Sequence, residues 1–322
     1  MTMSPSRVAV VAEDLAGMRS QAFGLAEYLA LPSRFHAVQP SGLMRYLPSR
    51  LWTAPLRALS ETPRLEPSEL VFSVAGKGGA VGAALRRQQH RVVQIQNPRM
   101  PLNRFDLVIA NYHDEISGPN VLLGRTALHG LTPQKLAQAH QEWSGKLRST
   151  FGRPLLAALI GGANGRFRFD PEDASRFAQH LVRAARKVDA DLFVTTSRRT
   201  GTVQTNVLRK AVEHSGGTLW SAGENNPYRG LIACADWLVV TADSVSMVSE
   251  AVAGPAPVYV QTLEGKSRRI GLFLETLREC GRIRYFENDL EHWDVTPLDD
   301  TPMLARDMCQ RLGLRHLLRD DI

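Results

Sequence analysis

Trp237-Leu238-Val239-Val240-Thr241 is a run of strand-forming residues, and Ala242-Asp243-Ser244-Val245-Ser246-Met247-Val248-Ser249-Glu250-Ala251 follows it without a break. A short apolar, β-branched run suits a buried strand. Asp243 or Ser244 is a natural N-cap, because a short side-chain oxygen accepts from the first free N–H groups of a helix. The stretch therefore reads as strand, tight turn, helix. Ser246 and Glu250 are four apart, so they share one face near the positive end of that helix. A hydroxyl there can meet a diphosphate, and a carboxylate one turn on can accept both hydroxyls of a ribose. A capped helix with a solvated glutamate fits the same residues taken alone.

The rhythm recurs on both sides. Val8–Ala12 precedes Glu13-Asp14 and a helical stretch through Gln21, Leu25 and Leu29. Leu70–Ala75 precedes Gly76-Lys77-Gly78-Gly79 and a helix through Ala83 to Gln89, and Arg91–Gln96 and Leu107–Asn111 read as further strands. Leu155–Ile160 runs into Gly161-Gly162-Ala163-Asn164-Gly165, and Asp170-Pro171 caps a helix reaching about Lys187. Asp191–Thr196 ends in Ser197-Arg198-Arg199-Thr200, and Pro257–Val260 is a last strand. Short apolar strands alternating with helices predict an α/β protein with parallel sheets.

The 322 residues suffice for two Rossmann-like domains. The polar stretch Gln141–Pro154, with Gly152 and Pro154, predicts the link. Residues 1–147 and 148–302 are the expected domains, and residues 303–322 hold a final helix from about Met303 that has no strand partner.

An apolar share of 43% excludes disorder, and no apolar run is long enough to span a bilayer. The run at Val8–Ala12 is too short for a signal peptide. Cys234, Cys280 and Cys309 are too widely spaced for a disulfide framework or a thiolate zinc site. A cytoplasmic protein is expected. Residues 1–150 hold 17 Lys and Arg against 10 Asp and Glu, whereas residues 151–322 hold 22 of each. No acid lies between Glu27 and Glu61, nor between Glu69 and Asp106. Such a surface attracts polyanions. Nucleic acid is not expected, because no stacking aromatics or DNA-binding pattern accompany the charge. The acid-free segment Leu43–Trp52, with Arg45, Arg50, Leu51 and Trp52, suits an anionic membrane surface or an acceptor, or else a loop packed on its own domain.

Ligands of open α/β sheets sit at the carboxyl ends of the strands. The first candidates are therefore Asp14, Lys77, Asn97, His113, Asp114, residues 161–166, 197–200 and 243–250. Gly76-Lys77-Gly78-Gly79 fits neither a dinucleotide fingerprint nor a Walker loop. Small residues at Gly161, Gly162 and Asn164 would let backbone N–H groups approach a phosphate. Arg198 and Arg199 are candidate phosphate forks, and the turn Glu224–Gly230 can offer backbone edges to a base.

Asn226-Pro227-Tyr228, Ala235-Asp236, Val240–Ala251, Ser197–Thr200, Gly161-Gly162, His113-Asp114 and Asp14…Gly17…Gln21 together resemble the elongated-mitochondria (Elm-type) mitochondrial fission family over nearly the whole chain. Despite its name the family is mostly bacterial, and its members are similar to B-type glycosyltransferases, among them the lipid-linked N-acetylglucosamine transferase of peptidoglycan synthesis. The resemblance implies two domains facing across a cleft, a nucleotide sugar on Gly161, Gly162, Asn226, Tyr228, Ser246 and Glu250, an acceptor on the first domain, and a last helix crossing back to it. Two positions depart: Met18 stands where the family often has histidine, and Lys77 where a Gly-Arg pair is common.

The expected activity is metal-independent transfer of a sugar from a UDP- or GDP-linked donor to an acceptor hydroxyl, on a glycolipid or lipopolysaccharide-type precursor, without cofactor. Its donor residues would be Gly161, Gly162, Asn164, Ser197, Arg198, Arg199, Thr200, Asn226, Pro227, Tyr228, Asp243, Ser244, Ser246, Met247 and Glu250. Asp14 is the first candidate base, with His113 and Asp114 as rivals. A peripheral place on the inner face of the cytoplasmic membrane goes with that acceptor. The alternatives are a non-catalytic membrane adaptor and a nucleotide-sugar epimerase.

Overall fold

The computed structural model describes residues 4–148 and 152–319. Residues 1–3, 149–151 and 320–322, which include parts of the expected link and final helix, lie outside the described residues. The chain forms two compact units, residues 1–130 with 300–322, and residues 131–299.

The first unit opens with β1 (Arg7–Ala12), α1 (Ala16–Ala26) and β2 (Ser33–Ala37), then β3 (Glu69–Val74), α2 (Ala75–Arg87), β4 (Arg91–Ile95), β5 (Leu107–Asn111) and β6 (Val121–Gly124). The six strands make one parallel sheet in the order β2-β1-β3-β4-β5-β6. Alternation sends Val8, Val10, Leu70 and Phe72 into one core and Ala9, Val11 and Val71 into the other, so both faces are covered. The glycine run after β3 is helix rather than loop: α2 begins at Ala75 and takes in Gly76, Lys77, Gly78 and Gly79. A Cβ at Gly78 would lie 2.6 Å from Val11 O, and one at Gly82 would lie 2.5 Å from Ser73 Oγ. These glycines let α2 press against the sheet.

The second unit starts with α3 (Pro133–Leu147), which overturns the expected link over 141–154. Thr132 caps the helix and Pro133 stands at its first position. Its apolar residues Leu136, Ala139, Trp143 and Leu147 join the unit's core. The sequence continues through β7 (Leu155–Ile160), β8 (Phe167–Arg168), α4 (Pro171–Lys187), β9 (Asp191–Thr196), α5 (Thr202–His214), β10 (Thr218–Trp220), α6 (Tyr228–Cys234), β11 (Trp237–Thr241), α7 (Val245–Val252), β12 (Val258–Gln261), β13 (Glu264–Gly265), α8 (Arg268–Glu279) and β14 (Ile283–Tyr285). Six of these strands form a second parallel sheet, β10-β9-β7-β11-β12-β14, while β8 and β13 pair separately. Leu155, Ala157 and Leu159 face one core, and Leu156, Ala158 and Ile160 the other. Asp170 and Asp173 form the capping box expected at the start of α4.

The chain re-enters the first unit at Asp300 through α9 (Thr301–Arg311). Leu304, Ala305, Met308 and Cys309 pack into the core that holds Leu25 and Leu29. Buried Asp300 accepts from the Arg125 backbone N–H at 2.6 Å and from its guanidinium at 2.5 Å, which fixes the entry of α9 beside β6. Divided by these units, the charge is more even than the halves of the sequence imply. The first holds 18 Lys and Arg against 13 Asp and Glu, the second 21 against 19.

Candidate functional site

Three strand ends of the second unit meet through one hydrogen-bond network. Gly161 N–H donates to Thr241 Oγ1 at 2.7 Å, and Gly162 N–H donates to Asp243 Oδ2 at 3.2 Å. The same Asp243 oxygen pairs with the Arg199 guanidinium at 2.8 Å. Ser197 and Thr200 close the third side, their hydroxyls both donating to Gly161 O. Asn164 adds a bond from its amide to Asp243 O at 3.4 Å and folds its own loop by accepting from Arg166 and Phe167 N–H. Only glycine fits at the centre. A Cβ at Gly161 would stand 2.3 Å from both Asp243 carboxylate oxygens, and Gly162 has φ +150° with Arg199 O equally close.

The geometry changes several expected roles. Asp243 is buried, and burial raises its carboxyl above the ordinary value against the opposing pulls of Thr241, Arg199 and Gly162. Its Oδ1 has no hydrogen-bond partner among the described residues. It therefore ties the loops together rather than presenting itself to a ligand. Thr200 and Pro227 are also buried. The Gly161 and Gly162 amides, expected to cradle a phosphate, are taken by Thr241 and Asp243. The two arginines divide: Arg199 neutralises Asp243, while Arg198 is exposed and has no ion-pair partner among the described residues.

Helix α7 starts from this network. Ser244 is its N-cap, accepting from Met247 N–H at 3.3 Å. Ser246, Met247 and Glu250 are all half-buried. Glu250 lies about 6 Å along the axis from Ser246, at 1.5 Å per residue. The Tyr228 hydroxyl, from the first residue of α6, donates to Glu250 Oε2 at 2.6 Å. Burial and the neighbouring carboxylate drive that phenol well above its usual range, so it remains a donor. Exposed Asn226 accepts from Tyr228 N–H at 3.0 Å and shapes the turn before α6. The second unit thus gathers Tyr228, Ser244, Ser246 and Glu250 on the two helices that flank β11.

One contributor carries no sequence signal. Arg282 is 2% exposed and has no acidic partner among the described residues. Its guanidinium donates to Val252 O at 2.8 Å, to Gly254 O at 2.9 Å and to Ala256 O. Burial lowers its pKa to about 10. A cation on the last carbonyls complements the negative end of a helix, so Arg282 anchors α7 from behind. It lies far along the chain, outside every motif.

The first-unit candidates sit on different strand ends. Asp14 follows β1 and pairs with Arg19 Nε at 2.5 Å. His113 is 3% exposed, so its imidazole is not displayed as a surface base. Asp114 accepts from Asn111 N–H at 3.1 Å within a reciprocal cap. Arg45, Arg50 and Leu51 are at the surface, Leu51 being 57% exposed beside Tyr46 at 76%. Trp52 corrects its expected role: it is buried in the core with its indole N–H on Leu47 O, because tertiary packing overrides the amphipathic look of the segment. No described helix is long and apolar enough to cross a membrane. Among the described residues no three His, Cys, Asp or Glu side chains converge as metal ligands would.

Comparison with known proteins follows the same lines. A family profile described as Mitochondrial fission ELM1 matches residues 16–312. Mitochondrial fission protein ELM1 of Arabidopsis thaliana is 30% identical over 250 residues, 70% of this chain and 58% of that protein. The chain thus matches less than two thirds of the plant protein's length. MurG of Acinetobacter baumannii superposes with a TM-score of 0.51 at 14% identity, covering 97% of this chain and 92% of the other. A Listeria monocytogenes protein described as a UDP-N-acetylglucosamine 2-epimerase gives 0.56 at 10% identity, covering 99% and 100%. The fold is that of the B-type glycosyltransferases and related epimerases.

Proposed function

We propose, from the premise that this chain belongs to the Mitochondrial fission ELM1 family and has a glycosyltransferase fold, that it transfers a sugar from a nucleotide-diphosphate donor to an acceptor hydroxyl without a metal. The observation that carries this is the pairing on α6 and α7. Glu250, fixed by Tyr228 at 2.6 Å, stands one turn beyond Ser246 on a helix springing from the carboxyl end of β11. A helix N-terminus binds anions, so a diphosphate at the first turn of α7 would leave Glu250, one turn on, to accept from the hydroxyls of the ribose. Exposed Arg198 and the first turn of α7 would neutralise the leaving diphosphate in place of a divalent cation. Asp14 is the base we assign, since His113 is buried. The acceptor we favour is a glycolipid or lipopolysaccharide-type precursor at an anionic membrane, approached through Arg45, Arg50, Tyr46 and Leu51.

Titration with UDP, GDP and their sugars tests this. One nucleotide should bind, and Glu250→Ala should weaken it by about 10- to 100-fold, the worth of one or two hydrogen bonds to a charged group. Equal affinity in the variant would end the assignment. A second reading, a non-catalytic adaptor on the same fold, draws on the occupied amides of Gly161 and Gly162 and the buried His113. Absence of nucleotide binding at millimolar concentration would favour it. Sugar inversion without any acceptor would instead mark an epimerase.

A further inference from the structure

The first unit contains a hollow of about 460 Å³ that the donor residues leave unused. It lies where β1 and β2 end, lined by Asp14 and Arg19 from the loop and helix after β1, by Arg34 and His36 of β2, and by Glu61 and Arg64 from the loop before β3. The carboxyl edge of a parallel sheet is where ligands of this architecture bind. Strand β2 is also the outermost strand of its sheet, so one row of its backbone groups is not matched by another strand.

The charges in the hollow are unequal in kind. Arg19 is held twice, by Asp14 at 2.5 Å and by stacking of its guanidinium 3.8 Å above the Phe35 ring. That guanidinium is pre-oriented, with further N–H groups beyond the one on Asp14. Arg34 and Arg64 are exposed, and neither makes an ion pair or hydrogen bond to another described residue. His36 is kept below its ordinary pKa by burial and by Arg34. It therefore adds no positive charge at neutral pH. Three arginines and two acids, Asp14 and Glu61, thus line the hollow.

Planar guanidinium groups suit phosphate oxygens, while carboxylates suit hydroxyl donors. The volume matches a small ligand. The geometry points to a binding site for a sugar phosphomonoester, its phosphate between Arg34 and Arg64 and its hydroxyls toward Asp14 and Glu61. All its lining residues belong to the first unit, and because Asp14 is also the base assigned above, the inference rests on that reading in naming the acceptor's class, while the binding itself is read without a nucleotide. The phosphate could be on a soluble sugar or on the saccharide headgroup of a lipid, because the chemistry recognised is the same.

Calorimetric titration of the full chain tests it, using glucose 6-phosphate, glucose, inorganic phosphate and vesicles carrying lipid A, with UDP as a separate probe of the second unit. Glucose 6-phosphate or the lipid A vesicles should bind, roughly tenfold or more tighter than inorganic phosphate or glucose. The double substitution Arg34→Ala and Arg64→Ala should remove at least about tenfold of that affinity and leave UDP binding and the melting temperature unchanged. Preference for glucose 6-phosphate assigns a soluble source, and preference for the vesicles a lipid source. Failure of both probes to bind, or equal affinity in the double variant, overturns the site. Loss of UDP binding alone counts only against the donor proposal.

Discussion

The two units share a six-stranded parallel sheet with both faces covered, yet they treat the carboxyl ends of their strands differently. In the second unit, side chains from three strand ends lock the loops together through buried Asp243, and the chain at Gly161 tolerates no Cβ. In the first, charged residues after β1 and β3 pair near the surface, as Arg19 with Asp14 and Lys77 with Glu13 at 2.7 Å, leaving hollows and exposed apolar residues around them. One fold thus supports a rigid edge and an open edge. A rigid edge suits a ligand recognised by fixed geometry, and an open one suits a ligand that varies or lies on a surface.

Alanine placed at matching glycines separates these edges most sharply. Gly161→Ala pushes a methyl into the Asp243 carboxylate and should cost about 3 kcal/mol in a denaturant melt, in the range of severe packing damage. Gly76→Ala, at the start of α2, meets Ser49 Oγ at 3.1 Å and Pro98 O at an ordinary 3.8 Å and gains helix propensity, so its net change should stay within about 1 kcal/mol. Similar costs at both would remove the contrast. A smaller effect concerns the open edge. Leu51→Ser should reduce partition onto anionic vesicles roughly threefold, about the worth of half a buried side chain. An unaltered sedimentation profile would count against a membrane-facing role.

The smallest expected effect is shared by both units. His36 and His180 are held below the ordinary imidazole value, chiefly by burial. As pH falls through about 6.5 the unfolded chain protonates first, so stability is full above that value and declines toward acid. Replacing both with Gln should flatten the fall in urea midpoint between pH 7.5 and 5.5. A slope unchanged by the substitutions would exclude these two histidines as its source.

Much of the architecture could be read from the chain. Central strands such as β3, β7 and β11 are buried along their whole length, so their apolar runs stand out, and Asp170-Pro171 and Ser244 cap the helices they precede. Strand β2, Ser33-Arg34-Phe35-His36-Ala37, escaped because an outer strand needs no apolar run. Helix α3 was hidden by its polar face and by the Gly152 and Pro154 that follow, although Thr132-Pro133 carries the same start signal as Asp170-Pro171. At the site, residue types at strand ends were legible, but their partners were not. Nothing local distinguishes Arg199, tied to Asp243, from its exposed neighbour Arg198, and nothing near α7 points to Arg282.

The donor assignment is tested most directly by amide chemical-shift mapping of the labelled protein during titration with uridine or guanosine diphosphate. We predict that the shifts concentrate in the first turn of α7, at residues 198–199 and at residues 225–228, and that they vanish in Glu250→Ala while the rest of the spectrum is preserved. Shifts confined to residues outside the second unit, or a spectrum indifferent to both nucleotides, would contradict it.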